Sequence, residues 1–242
     1  MNKFCYSGEE LDLFSKAFHW KSYVSQKIKS LLGPEVLEVG AGIGSNTIFL
    51  CGQNQQRWLC LEPDSKLFFT LSNRIRSNPN LSKADARLGT LENICDNEFF
   101  DAILYIDVLE HIKDDKLELE QACRFLKREG ILIVLAPAHQ WLYSPFDKAI
   151  GHFRRYNKKT LSAIGPPNLK LEYLYYLDSA GLIASIGNLI VLRKNLPNLK
   201  QIAFWDNRLI PLSIKIDPLL RNKLGKTIIG VWQNHSCHKR AK

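Results

Sequence analysis

Apolar residues come in short, nearly unbroken runs along the first 140 positions, and each run stops at a glycine, an acid or a proline. Val36-Leu37-Glu38-Val39 runs into Gly40. Trp58-Leu59-Cys60-Leu61 ends on Glu62-Pro63-Asp64, and residues 84–88 end on Gly89-Thr90. Residues 102–106 end on Asp107, and residues 131–135 on Ala136-Pro137. Runs that are continuous instead of alternating suit strands buried on both faces, as parallel sheets require. Helix-compatible stretches lie between them. One opens at Thr47. Another spans residues 115–128, with Asp114 or Asp115 as cap, Lys127 and Arg128 against the C-terminal dipole, and Gly130 as stop. Asp64 reads as a further N-cap. Strand alternating with helix predicts a doubly wound α/β fold, whose ligands lie at the carboxyl ends of the strands.

The ends of the chain read differently. Residues 11–32 place Phe14, Phe18, Trp20, Tyr23, Val24 and Ile28 at helical spacing, a core-packing stripe or a lid that brings Trp20 or Tyr23 over the ligand. Residues 182–192 form a second apolar helix beside Arg193 and Lys194, packed inward or set against a membrane. The apolar stretch over 179–192 is too short to span a bilayer.

The chemistry starts at Gly40-Ala41-Gly42-Ile43-Gly44. A turn this tight needs positive φ, and a ligand lying on the backbone leaves no room for a β-carbon. The spacing G-x-G-x-G sets the third glycine one place earlier than in the dinucleotide fingerprint. Glu38, two places before, would repel a pyrophosphate and suits a cationic ligand such as the ammonium and sulfonium of S-adenosylmethionine. Glu62 ends the second strand, where an acid reaches ribose hydroxyls.

With these motifs, and with Asp107-Val108-Leu109-Glu110-His111-Ile112 after the fourth strand, the chain resembles class I S-adenosylmethionine-dependent methyltransferases. It is similar to a bacterial small-molecule subset that also carries Pro137-Ala138, Tyr143-Ser144, Asp147 and Gly151-His152-Phe153-Arg154-Arg155-Tyr156. The resemblance covers most of residues 15–233, with 193–220 matching loosely. It implies a Rossmann-like, mostly parallel seven-stranded sheet with helices on both faces, and a last strand within 225–231. It also implies a cofactor site of Glu38, Gly40, Ala41, Gly42, Gly44, Glu62, Pro63, Thr90, Leu91, Ile106, Asp107 and His111. Many relatives carry aspartate where Thr90 stands. The reaction implied is methyl transfer to an oxygen or nitrogen of a small, glycan-linked or lipid-linked acceptor.

The loop after the fifth strand is dense in His, Arg, Trp and Tyr, at the place where an acceptor would lie. His152 and His139 are the candidate bases. Tyr143, Arg154, Arg155 and Tyr156 are candidates for anchoring a polar, anionic acceptor. The competing reading makes this loop structural, its arginines paired with acids such as Asp147.

Charge sharpens the choice of partner. The net +9 lies entirely in residues 193–242, which hold eleven Lys and Arg against Asp206 and Asp217. Such a stretch fits an anionic acceptor, an anionic membrane surface, or a solvated face that binds nothing. Nucleic acid is disfavoured. No Asn/Asp-Pro-Pro-aromatic motif follows the fourth strand to grip a flipped base, and no cysteine follows the fourth or fifth strand as nucleophile. RNA ribose or guanine methylation stays open, as does a non-catalytic relative that only binds cofactor. A nicotinamide dehydrogenase is disfavoured by the glycine spacing.

The six cysteines are scattered without a C-x-x-C pair and read as small apolar residues in a reducing cytoplasm. The first residues lack the pattern of a secretory leader. No metal is expected: Asp107 and Asp101 lack a partner set, and His235-Ser236-Cys237-His238 reads as an unstructured end. The expected organisation is one domain: an N-terminal helical segment (1–32), a cofactor-binding core (33–136) and a substrate loop region (137–168), then the rest of the sheet with a basic insertion (169–233) and a basic tail (234–242).

Overall fold

The structure, a computed structural model, describes residues 9–187 and 198–235. One seven-stranded sheet runs through it in the order β3-β2-β1-β4-β5-β7-β6. The strands are β1 (Glu35–Val39), β2 (Arg57–Glu62), β3 (Ala84–Leu88), β4 (Phe100–Ile106), β5 (Leu126–Pro137), β6 (Lys170–Leu177) and β7 (Thr227–Gln233). The first five pair in parallel, while β7 lies antiparallel between β5 and β6. This is the Rossmann-like, mostly parallel architecture expected.

Alternation along each strand sends side chains into two cores. Leu37, Leu59, Leu61, Ile103, Tyr105 and Val134 share one core with Leu119, Phe125 and Leu161. Val36, Trp58, Cys60, Leu104, Ile133 and Leu135 share the other with Tyr23, Ile28, Leu71 and Ile210. A buried leucine or isoleucine contributes about 1.5–3 kcal/mol, so the two cores dominate the stability.

The first core is covered by α5 (Asp115–Ala122) and α7 (Lys158–Ala163). The second is covered by α2 (Phe18–Ile28), α3 (Thr47–Leu50), α4 (Ser65–Ser77) and α10 (Ile210–Leu219). Three shorter or outlying helices, α1 (Glu9–Ser15), α6 (Pro145–Ala149) and α9 (Leu199–Phe204), flank them, and α8 (Ser179–Gly187) follows β6. A π-helical turn, Trp205–Leu209, links α9 to α10. Asp64 caps α4, accepting from the amides of Lys66 and Leu67.

Two sequence expectations change. The helix expected over 115–128 ends at Ala122 and tightens into a single 3-10 turn. Leu126 is buried and pairs with Phe100, so β5 begins five residues earlier than its apolar run suggests. Lys127 therefore serves no helix dipole; it bridges Glu35 and Asp101. The apolar helix expected over 182–192 is described only to Gly187.

The N-terminal stripe packs inward: Trp20, Tyr23, Val24 and Ile28 are buried, while Phe18 is exposed. Asp206, in the π-helical turn, accepts from the amides of His19 and Trp20 and so caps α2 from far along the chain. Asp178 and Asp217, both fully buried, tie the following elements together. Asp217 accepts from the amides of Asp178 and Ser179 and from the Tyr23 hydroxyl. Asp178 accepts from the Gly181 amide, the Ser213 hydroxyl and the Trp205 indole.

Candidate active site

The strand order reverses between β1 and β4, which lie side by side. Loops leaving neighbouring strands there diverge to opposite faces and open a crevice. Its first wall is the loop after β1. Gly40, Gly42 and Gly44 all have positive φ, at +65°, +58° and +74°. A β-carbon on Gly44 would meet Leu71 at 2.7 Å. One on Gly42 would only make ordinary contact with Leu11 of α1, at 3.6 Å, and Gly42 itself is half-exposed.

Glu62 sits at the end of β2 and holds the loop in place. Its carboxylate accepts from the Gly42 amide at 2.7 Å and the Asp64 amide at 2.9 Å, while burial pushes its pKa up. Glu38 is placed differently from the sequence reading. One of its carboxylate oxygens accepts from the Thr47 hydroxyl at 2.7 Å and the Trp58 indole at 2.9 Å, and burial pushes its pKa up to about 7. It is an internal strut behind the loop, not a charge offered to a cation.

At the β3 end, Thr90 is exposed and its amide donates to the Asn93 side chain, while Leu91 points into the core. Pro63 is exposed beside Glu62, and Ala41 and Ile106 are buried. A half-exposed glycine backbone, an acid at the end of β2 and a half-open floor make a cradle that fits an adenosyl cofactor.

The crevice floor is Asp107, at the end of β4. Its φ is +55° and its amide donates to the Leu135 carbonyl. Its surface reaches solvent, yet dense packing around it raises its pKa to about 6, against the opposing pull of His152, Lys21 and Lys226. Lys21 comes from α2, and its ammonium donates to the Phe14 carbonyl. Burial lowers its pKa to about 8.

Beyond Asp107 the structure gathers Glu110, His111 and His152. The two imidazoles meet edge to face at 4.5 Å between centroids. The Nδ1 of His152 lies 2.9 Å from Asp147, and its Nε2 lies 3.7 Å from Glu110. His111 hydrogen-bonds the Gly151 backbone, and burial lowers its pKa to about 3. Glu110 is fully buried, with neither carboxylate oxygen hydrogen-bonded, and its pKa is pushed far up by burial. Sequence reasoning missed Glu110, Lys21 and Lys226. The Glu110-His111 pair was visible in the motif, but the inward turn of Glu110 was not.

The arginine-rich loop is corrected. Arg155 donates from Nε and Nη2 to the two oxygens of Asp147, which also accepts from Ser144 and His152. Arg154 pairs with Asp115 and donates to the Lys113 carbonyl. The Tyr156 hydroxyl is buried on Asp115, and the Tyr143 hydroxyl donates to the His152 carbonyl. These four side chains are engaged in framing the loop instead of standing free for an acceptor. His139, at φ +66°, stacks on Tyr176 and donates from Nε2 to the Gly225 carbonyl. It belongs to a different cluster from His152.

The other metal candidates also disperse. Asp101 accepts from the Glu35 amide and pairs with Lys127, and His235 pairs with Glu129 and Glu172. Cys237 and His238 lie outside the described residues.

Comparison with known proteins agrees with this geometry. Residues 37–134 match the family model of the methyltransferase domain. No curated protein matches the chain. Among solved structures, the YcgJ protein from Bacillus subtilis superposes with a TM-score of 0.60 at 16% identity, covering 90% of this chain and 100% of that one. An S-adenosylmethionine-dependent methyltransferase from Clostridium acetobutylicum gives 0.60 at 12% identity, covering 95% and 99%. Coclaurine N-methyltransferase bound to N-methylheliamine and SAH gives 0.61 at 15% identity, covering 90% and 72%. The chain thus carries a match to the methyltransferase domain over residues 37–134, around the crevice at the switch point, and shares its fold with these solved structures.

Proposed function

We propose that the protein transfers a methyl group to an oxygen or nitrogen of a small, anionic acceptor. The observation that carries this is the crevice floor: Asp107 stays open to solvent, and Lys21 and Lys226, from two separate parts of the chain, favour its ionised form. A small acceptor carrying carboxylate or phosphate would lie against the lysines. They replace Arg154 and Arg155 as its anchors.

Gly40, Gly42 and Gly44 would hold the cofactor's aminoacyl end, Glu62 its ribose, and Thr90 with Leu91 its adenine side. When bound, the cofactor supplies a methyl carbon activated by a sulfonium. The protein's part is to align the acceptor, exclude water and receive the acceptor's proton, and alignment alone is worth several kcal/mol, up to about 7–11 kcal/mol in well-oriented systems. An acceptor hydroxyl at Asp107 lies beside Glu110, His111 and His152, the polar cluster that would manage that proton.

The first test is calorimetry with S-adenosylmethionine and S-adenosylhomocysteine, beside Glu62→Ala. Micromolar binding that weakens at least tenfold in the variant is expected. Labelled methyl transfer to a panel of carboxylate, phosphate and nucleotide-sugar acceptors follows, beside Lys226→Ala. Transfer confined to neutral acceptors would refute the anionic reading.

A lipid-linked acceptor is the second reading, favoured by the C-terminal helices. Their two acids, Asp206 and Asp217, are buried, whereas Arg208, Lys215, Arg221 and Lys223 are exposed beside Phe204, Leu212, Leu219 and Leu224. Basic and apolar side chains on one surface suit an anionic bilayer. Co-sedimentation with phosphatidylglycerol vesicles, lost on Lys215→Glu with Arg221→Glu, would support it. No helix among the described residues is long and apolar enough to cross a membrane.

A further inference from the structure

We infer that Glu110, His111 and His152 form a binding site for a divalent transition-metal ion at the edge of the acceptor crevice. Each offers one ligating atom, and the three atoms lie within 4.8 Å of one another.

The Glu110 carboxyl is orphaned among the described residues. Glu110 is fully buried and neither oxygen has a hydrogen-bond partner. A buried carboxyl left without a hydrogen-bond partner costs about 1–3 kcal/mol even when protonated, and buried acids are found paired or on metals. Arg155, whose charge favours the ionised form of Glu110, is taken up by Asp147. His152 stands 3.7 Å away, beyond hydrogen-bond reach. Two ligands on one tetrahedral ion, each at about 2.0–2.1 Å, are about 3.4 Å apart. The Glu110–His152 separation therefore needs only a small adjustment to close on an ion.

Both imidazoles are held in place by neighbouring groups. Asp147 accepts from Nδ1 of His152, which fixes the tautomer and leaves the Nε2 lone pair directed at Glu110. His111 is held by the Gly151 backbone. A metal-binding histidine almost always gives its other nitrogen to a carboxylate or a carbonyl, and here both do so before any ion arrives. Arg155 and Ser144 in turn fix Asp147.

Two imidazoles and one carboxylate select borderline ions such as Zn²⁺, Fe²⁺, Co²⁺ or Ni²⁺ over Mg²⁺ or Ca²⁺, which prefer all-oxygen sites. Three protein ligands leave positions open for water or an oxygen donor. Assigning an open position to the acceptor's oxygen rests on the methyl-transfer reading; the metal site itself does not.

The test uses the full chain with His235→Ala, Cys237→Ser and His238→Ala, so that the C-terminal tail contributes no ligand. Co²⁺ is titrated in the absence of cofactor and acceptor, followed by visible absorption and by imidazole NMR. One equivalent should bind, with d–d bands of a nitrogen–oxygen site and no thiolate charge-transfer band. The resonances of His111 and His152 should shift, while those of His19 and His139 should not. Glu110→Gln on this background should weaken binding at least tenfold with the fold intact by circular dichroism, and Asp147→Asn by roughly tenfold. No uptake, an unchanged affinity in Glu110→Gln, a thiolate band, or shifts confined to His19 and His139 would each overturn the site. The NMR readout needs no ligand variant, so it holds even if Glu110→Gln fails to fold. Failure here leaves the methyl-transfer reading standing, since the cofactor calorimetry is independent of it.

Discussion

Gly40 and Val108 touch through a missing atom: a β-carbon on Gly40 would stand 2.8 Å from both methyls of Val108. The contact joins the two loops that wall the crevice. Gly40→Ala is expected to be destabilised twice over, by about 1–2 kcal/mol for a non-glycine residue at φ +65° and about 1–3 kcal/mol for overpacking. Gly42→Ala meets no such neighbour and should cost only the backbone part. Its new methyl, however, stands on the half-exposed backbone. Urea unfolding should therefore rank Gly40→Ala as the less stable variant, while calorimetry should show Gly42→Ala losing S-adenosylhomocysteine affinity at least tenfold. Equal affinities for Gly42→Ala and wild type would place the cofactor elsewhere.

Asp147 is fully buried and accepts from Ser144, His152 and both forks of Arg155. Hydrogen bonds from His152 and Arg155 hold its carboxyl far below the usual carboxylate range, despite burial. Removing one partner from such a network leaves an uncompensated charge, at about 3–5 kcal/mol. Arg155→Ala should show a loss of this order in chemical denaturation. If Arg155 instead anchored substrate from the surface, the change would stay within about 0.5 kcal/mol and appear in KM alone.

The extent of foresight differs between core and loop for a physical reason. Strand runs such as 102–106 are dictated by burial on both faces, a property written in consecutive residues. The turn at Gly40-Ala41-Gly42-Ile43-Gly44 is likewise local, and positive φ is found at all three glycines. Side-chain direction is not local. Glu38 and Glu62 look equivalent as acids at strand ends. One is turned inward onto Thr47 and Trp58, and the other is turned onto the Gly42 amide. The same holds for Arg154 and Arg155, whose partners Asp115 and Asp147 are brought in by separate helices. Glu110 was overlooked because an acid in a short 3-10 turn is ordinarily exposed; only packing reveals that it is sealed beside His152.

Asp206 caps α2 across 186 residues of chain, accepting from the Trp20 amide at 2.8 Å and the His19 amide at 3.1 Å. No side chain at the start of α2 itself does so. Loss of a capping acid costs about 0.5–2 kcal/mol. Asp206→Ala should fall in this range by urea unfolding and should raise hydrogen exchange at the first turn of α2. Since α2 carries Lys21 to the crevice, KM for an anionic acceptor should rise with kcat less affected. Unchanged exchange at His19 and Trp20 would refute the cap.

Two carboxyls bend the stability of this protein with pH in opposite directions. Glu38 is pushed by burial from 4.5 up to about 7, so the folded state holds its proton more tightly than the unfolded chain. Its contribution is fully present below about pH 4.5, falls as pH rises toward 7, and levels off above that, a change of about 3 kcal/mol. Glu98 behaves inversely. Hydrogen bonds from Arg87, assisted by the Cys95 amide and Arg57, hold it down at about 2. Its contribution is present above pH 4.5 and is lost as pH falls from 4.5 toward 2. Thermal unfolding across pH 2–8 should therefore show Glu38→Gln flattening the decline between 4.5 and 7, because the amide oxygen still accepts from Thr47 and Trp58 without the charge. Glu98→Gln should flatten only the acid limb. If Glu38→Gln left the slope between 4.5 and 7 as in wild type, the carboxyl would be ionised at ordinary pH and open to a cation after all, and the internal-strut assignment would fall.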